Sequence, residues 1–299
     1  MNIFLTGATG YIGGTVAHRL LQDDHKLRGL VRDAEKGKRL AALGIEPVAG
    51  GLDDAAILTA EARRAEAVIN TANSDHRGAI DALLEGLAGS SKPFLHTSGS
   101  SIVADEAHGD KASDRIYDEE TPLDPVPGKV ARVAIDRAIR DASQRGVRSV
   151  VLCNTMIYGN GLGLARDSAQ IPGLAARARK TGVVRHVGQG LNIWSNVHVE
   201  DMADLYSLAL AKAPAGAFYF VENGEASYSD ICVSIAKRLG LASPQAWPFA
   251  DAVKELGESS AAYTFGSNSR VRGKRARSEL GWQPKHKSAT TWIETELPL

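Results

Sequence analysis

The stretch "IFLTGATGYIGG" near the start of the chain limits its possible folds more than any other segment. It has the form TGxxGxxG, with Gly7, Gly10 and Gly13 placed directly after one apolar run and at the opening of an amphipathic one. One glycine permits a tight turn, the next lets backbone approach a pyrophosphate, and the third allows a helix to pack closely on a strand. The helix start then offers unpaired N–H groups and a partial positive charge to phosphates. The same alternation continues through the first half. Strands are expected at Asn2 to Thr6, Lys26 to Val31, Pro47 to Ala49, Ala67 to Ala72, Lys92 to Ser98 and within Arg148 to Gly159. Helices are expected at Ile12 to Gln22, Glu35 to Leu43, Asp54 to Ala62, Arg77 to Leu87 and from Pro127 onward. Strands joined through helices imply right-handed crossovers and a doubly wound, parallel α/β sheet.

At 299 residues the chain can build one large domain or two interleaved ones. Lys plus Arg equals Asp plus Glu at 35 each, which argues against a general nucleic-acid or membrane-surface binder. Cys153 and Cys232 give neither a disulfide framework nor metal-ligand spacing, and no histidine pair has such spacing, so no metal site is expected. Glycines arrive too early in "MNIFLTGATG" for a signal peptide, and no apolar run approaches spanning length. A soluble cytoplasmic protein, monomer or homodimer, acting on a small molecule is expected.

The end of the second strand selects the cofactor. An acidic residue there suits the ribose hydroxyls of NAD, and a basic one suits a 2′-phosphate. The chain reads "LRGLVRDAEKGKR", with Val31 at the usual acidic position, Arg32 beside it and Lys36 close behind. Arg32 can make a bidentate contact with phosphate, so NADP(H) is expected. The competing reading is a solvated basic turn in which Asp33 engages the same cations.

The segments "TGATGYIGG", "AVINTAN", "LHTSGSS", "MIYGNG", "WSNVHVEDMADLYSLAL" and "ELGWQPKHKSATTWIE" follow one another in the order and spacing of the extended short-chain dehydrogenase/reductases. The chain resembles the atypical members related to nucleoside-diphosphate-sugar epimerases. That resemblance implies a Rossmann domain over 1–158, with returning segments about 191–221, and a small substrate-binding lobe from 159–190 and 222–299. It implies a cofactor lying along Gly7, Thr9, Gly10, Tyr11, Ile12 and Gly13. Arg32, Lys36, Leu52, Thr71, Ala72 and Asn73 would flank its adenosine half. Thr97, Arg132, Met156 and Ile157 would meet the nicotinamide half.

The family's catalytic set is a Ser or Thr after the fifth strand and Tyr-x-x-x-Lys on the next helix. Here Gly99 stands at the Ser/Thr position, with Ser98 and Ser100 on either side. In "VPGKVARVAID", Gly128 stands at the tyrosine and Arg132 at the lysine. Arg132 is too basic to act as a general base, but it can anchor ribose hydroxyls or stabilise negative charge on a reduced carbonyl. Its bland alternative is a helix-surface pair with Asp136 at i,i+4. His76, Ser98 and Ser100 are the candidates to replace the tyrosine, His76 because it follows the fourth strand and an imidazole can both donate and accept a proton. Tyr158, Ser98 and Ser100 are further polar groups at strand ends, and Tyr117 and His108 sit in a loop able to fold over the site. His96 is expected to be a packed core residue, and His198 to join the lobe to the sheet. Trp194 and Arg185 are candidates to meet substrate, with plain packing an equal reading for Trp194.

These features favour an NADPH-dependent oxidoreductase acting on a carbonyl, imine or activated alkene without the usual tyrosine. A non-catalytic NADP(H) sensor and a cofactor-assisted epimerase or isomerase remain the alternatives.

Overall fold

A computed structural model describes residues 1–299. The first half alternates as expected: β1 (Asn2–Thr6), α1 (Tyr11–Gln22), β2 (Lys26–Val31), α2 (Ala34–Ala42), β3 (Ile45–Ala49), α3 (Ala55–Arg64), β4 (Ala67–Asn70), α4 (Arg77–Leu87) and β5 (Pro93–Gly99). After a long loop come α5 (Val130–Asp141) and β6 (Arg148–Asn154). These strands and a later one, Ala217–Val221, form a seven-stranded sheet whose pairings are all parallel. From β1 the order runs through β2 to β3 on one side and through β4, β5 and β6 on the other. The crevice between β1 and β4 is therefore the switch point, where sheets of this kind bind ligands.

Period-two alternation divides β1 between two cores. Ile3 and Leu5 join a cluster with Val16 and Leu20 of α1, while Phe4 faces one with Leu58, Ile80 and Leu83. Burial on both faces gives these strands their nearly unbroken apolar runs.

The second half departs from this rhythm. The chain leaves the large sheet at Asn154 and pairs β7 (Met156–Tyr158) with a strand at Ile193–His198. Two segments placed in the Rossmann portion by sequence thus form a small three-stranded sheet with Glu225–Ser227. In chain order the later elements are α6 (Ile171–Thr181), β8 (Arg185–Val187), β9 (Ile193–His198), α7 (Val199–Lys212), β10 (Ala217–Val221), β11 (Glu225–Ser227), α8 (Tyr228–Leu239), β12 (Gln245–Trp247) and α9 (Phe249–Leu256). Met156, Tyr158 and Trp194 pack in a separate core with Ile231, Ile235 and Trp292. No helix is long and apolar enough to cross a membrane.

The helix expected from Pro127 opens differently. Pro127–Lys129 forms a 3₁₀ turn, and the α-helix begins only at Val130. Glycine is a poor helix former, so a tighter turn around Gly128 is accommodated at little cost.

Candidate active site

The glycine turn is built largely from main chain. Gly7 has φ +77°, and a Cβ there would lie 2.7 Å from the Thr71 carbonyl. A Cβ on Gly13 would come within 2.2 Å of the Gly7 carbonyl oxygen. Gly10 differs, since its Cβ would meet only that oxygen, at 3.2 Å. The outer two glycines let α1 seat against β1 and β4, and the middle one leaves its face open. No side chain caps α1, so the first amides of that helix, beginning at Tyr11, are free to take an anion. This cradle fits a pyrophosphate.

Around it runs a cleft lined by Gly7, Thr9, Arg32, Lys36, Leu52, Ala72, Asn73 and His76, all anticipated at the cofactor or the chemistry. Val31 ends β2 without a carboxylate. Asp33, the possible competitor for Arg32, instead caps α2 by accepting from the Lys36 amide at 2.7 Å. Arg32 lies along the Gly51 backbone, its Cδ 3.3 Å from where a Cβ would stand. Lys38 turns away to Glu35 at 2.7 Å. Two cations therefore border the adenosine end.

Other expected cofactor residues are engaged elsewhere. The Thr71 hydroxyl donates to the Thr6 carbonyl at 2.7 Å and locks β4 to β1. Thr97 shares a buried hydrogen bond with Tyr206 at 2.7 Å. Tyr11 donates to the Gly159 carbonyl at 2.9 Å, and Thr15 accepts from the Leu162 amide at 3.1 Å. The glycine-rich segment after β7 is thereby held against α1, where Gly163 meets Gly14 too closely for any Cβ. Met156 and Ile157 are buried in the small sheet.

At the other end, Arg132 is held by a residue that the sequence did not single out. Its Nε donates to Asp75 at 2.6 Å, and its Nη2 makes a second bond to the same carboxylate. The side chain is 18% exposed, and Nη1 stands 3.3 Å from the position of a Cβ on Gly99. The guanidinium thus lies beside the strand end where the family carries its hydroxyl residue. The hydrogen bond from Arg132 holds the Asp75 carboxyl below its ordinary range. Burial, aided by Arg132, depresses the neighbouring Lys129.

The surface pair of Arg132 with Asp136 does not form. Asp136 is buried and accepts from Ser98 at 2.6 Å, while its second oxygen has no partner. Burial pushes its carboxyl up to about 7 despite the Ser98 bond and the Arg132 charge. Ser98 is accordingly turned into α5, and Ser100 is bonded to Ser269 at 2.7 Å. Neither hydroxyl is free for a ligand. His76 caps α4, taking the Ala79 amide on Nδ1 at 3.1 Å and facing Asp53 through Nε2 at 3.0 Å. It lines the cleft with both ring nitrogens engaged by protein groups.

In the second lobe, Trp194 is buried and donates its indole N–H to the Ser267 carbonyl at 2.7 Å, which makes it a packing residue. Arg185 borders a separate groove with Trp247 and Asp251. Tyr158 is buried edge-on against His198, their centroids 5.2 Å apart. His96 is fully buried, and burial takes its pKa down to about 3. The loop carrying His108 and Tyr117 is tied to the second lobe, through a His108–Phe249 stack at 3.9 Å and a Tyr117 amide bond to the Arg270 carbonyl at 2.9 Å.

Spacing pointed to no metal site, yet the fold gathers His198, Glu200 and His286 with ligand-type atoms within 4.8 Å of one another. The two rings stack at 3.6 Å, His198 Nδ1 accepts the Glu200 amide at 3.3 Å, and His286 Nδ1 faces Asp201 at 3.2 Å. These contacts describe a helix-cap joint between lobes.

Known proteins share this plan. Oxidase ucsJ of an Acremonium species is 30% identical over 94% of this chain and 92% of its own length. The 3-diazoavenalumate denitrifying reductase of a Streptomyces species is 28% identical over 96% and 97%. The dTDP-glucose 4,6-dehydratase of Bacillus anthracis, solved with NAD, superposes with a TM-score of 0.79 at 19% identity, covering 99% of this chain and 95% of that one. Residues 3–221, from the glycine turn to the last strand of the large sheet, match the model of one family. With that turn, the β1/β4 crevice and the returning β10 on one continuous match, the chain belongs to the NAD dependent epimerase/dehydratase family.

Proposed function

We propose that this protein is an NADPH-dependent reductase of a small organic electrophile: a carbonyl, imine or activated alkene. The observation that carries the cofactor choice is the cleft end formed by Arg32 and Lys36, where β2 closes on Val31 and Asp33 is engaged as a helix cap. A guanidinium and an ammonium on that rim favour a 2′-phosphate over bare ribose hydroxyls. The amides that open α1 and the bare face of Gly10 would hold the pyrophosphate. The reduced nicotinamide, when bound, supplies hydride.

Reduction is favoured over sugar epimerisation by the changed catalytic helix, since Gly128 and Arg132 lack the tyrosine–lysine pair that removes a hydroxyl proton. The bidentate bond to Asp75 orients the Arg132 guanidinium beside the end of β5, leaving Nη1 as a donor suited to an oxygen or nitrogen gaining negative charge. Two relatives named as an oxidase and a reductase agree with redox chemistry.

The test is a comparison of NADPH and NADH, by binding and by consumption with carbonyl, iminium and activated-alkene panels. The wild type should prefer NADPH, and Arg32→Glu should abolish or invert that preference, a change of about 1–3 kcal/mol for a charge-assisted phosphate contact. Equal affinity for both cofactors in the wild type would overturn the assignment. Tight NADPH binding with no turnover on any panel would replace the reductase with a redox sensor.

A further inference from the structure

The position vacated at Gly128 is filled by an aromatic ring from the other lobe. A Cβ built on Gly128 would lie 3.1 Å from both Cε2 and Oη of Tyr263 and 3.3 Å from its Cζ. Lys129 Nζ stands over the same ring, 4.8 Å from its centroid. Tyr263 is only partly buried. A side chain at 128 would sit tightly against this hydroxyl, which would have to give by a few tenths of an ångström. The glycine and the tyrosine are thus complementary in shape, one turn before Arg132.

The backbone that delivers Tyr263 is specialised. Ser260–Phe265 is a π-helix, a rare geometry that widens the turn and re-aims side chains, often at functional sites. Several bonds fix it. The Ser267 hydroxyl donates to the Tyr263 carbonyl at 2.8 Å, Gln170 and the buried Tyr228 hold the Thr264 carbonyl, and the Gly109 amide donates to Gly266 at 2.7 Å. The main chain that carries the ring is therefore fixed by the lobe. One edge borders Gly128, and the residue also lines a cavity with His108, Phe249 and Glu106.

We infer that Tyr263 is the proton donor of the reduction, a tyrosine presented to the catalytic helix from the second lobe. The inference rests on the reductase reading above. As the carbonyl carbon accepts hydride, its π pair moves to oxygen. The Tyr263 O–H bond breaks and its proton joins that oxygen, giving the alcohol. Water then reprotonates the tyrosinate, with the ammonium of Lys129 over the ring to stabilise the transient anion. An iminium carbon accepts hydride to give a neutral amine and needs no such proton.

That difference supplies the test. Wild type and Tyr263→Phe are compared with NADPH on 4-nitrobenzaldehyde and on N-methyl-3,4-dihydroisoquinolinium. Phenylalanine should lower kcat for the aldehyde by roughly 100-fold, leaving the iminium rate and NADPH affinity unchanged. Equal losses on both probes, or none on the aldehyde, would overturn the inference. A second measurement is independent of turnover. In protein labelled with 3-fluorotyrosine, the ¹⁹F resonance missing from Tyr263→Phe should move when NADP⁺ is added. A stationary resonance would overturn the placement of Tyr263 at the cofactor. If the wild type does not reduce the aldehyde while it reduces the iminium, the proton-donor role is overturned whatever the resonance does. Failure with both probes would count against the reductase reading itself.

Discussion

The two ends of the cleft are built in opposite ways. At the adenosine and pyrophosphate end, the turn from Gly7 to Gly13 is shaped by main chain, with two glycines at sites where no Cβ fits and a helix start left without a side-chain cap. At the other end, every informative group is a side chain held by a partner distant in sequence. Arg132 is held by Asp75, Ser98 by Asp136, and Gly128 is covered by Tyr263. A main-chain cradle permits almost no substitution, because its constraint is steric and local. A side-chain site can exchange its members between elements, provided that charge and hydroxyl reach the same space. This chain keeps the glycine turn and carries Gly128 and Arg132, with Asp75 and Tyr263 against them, at the other end.

Three substitutions probe that contrast. The largest effect is expected from Gly13→Ala. A methyl group 2.2 Å from the Gly7 carbonyl oxygen and 2.3 Å from the Thr71 hydroxyl must push α1 off the sheet. Overpacking of this kind costs about 1–3 kcal/mol or more, so thermal unfolding should shift down by several degrees and cofactor binding should be lost. An unchanged Tm with normal binding would show the cradle to be less rigid than its geometry.

Next comes Asp136. Burial raises its folded pKa to about 7 from an ordinary 3.8, so the folded state binds the proton more tightly than the unfolded chain. Its favourable contribution is complete below the unfolded pKa and is lost as pH rises through about 7. The penalty reached above that pH is on the order of a few kcal/mol. Asp136→Asn, which can still accept from Ser98, should flatten the fall of stability between about pH 4 and pH 7. Denaturant titrations across that window check it, and parallel profiles for variant and wild type would contradict it.

The smallest effect on stability is expected at Asp75, whose side chain is 53% exposed. Asp75→Ala should leave the Tm nearly unchanged but release Arg132, lowering kcat by roughly tenfold or more through misplacement of a fixed charge. Unaltered kinetics would place Arg132 outside the chemistry. If Gly13→Ala is tolerated while Asp75→Ala is not, the contrast between the two ends is reversed.

Much of the fold is legible in the chain because its signals are local. The strands at Asn2–Thr6 and Lys26–Val31 and the helix at Arg77–Leu87 fall where the pattern places them. Each carries its own periodicity and boundary residues. Segments such as Met156–Tyr158 and Ile193–His198 read as strands, but nothing in a short apolar run says which sheet it will join. Arg132 is found through its place in a motif. Asp75 has a weaker signal, an acid beside a cleft histidine at the end of β4. Asp136 looks like a helix-surface partner one turn from Arg132, and only burial shows it facing Ser98 instead. Tyr263, in the ordinary stretch "SAAYTF", has no local signal at all.

The sequence by itself determined the doubly wound sheet, the phosphate cradle and the absence of a tyrosine one turn before Arg132. Periodicity, glycine stereochemistry and residue type are properties of neighbouring positions, and they survive without knowledge of the tertiary fold. The tertiary structure alone decided which carboxylate holds Arg132, which serines are engaged internally, and which ring covers Gly128. Those outcomes depend on contacts between residues 57, 38 and 135 positions apart, and such pairs meet only once the tertiary fold has formed.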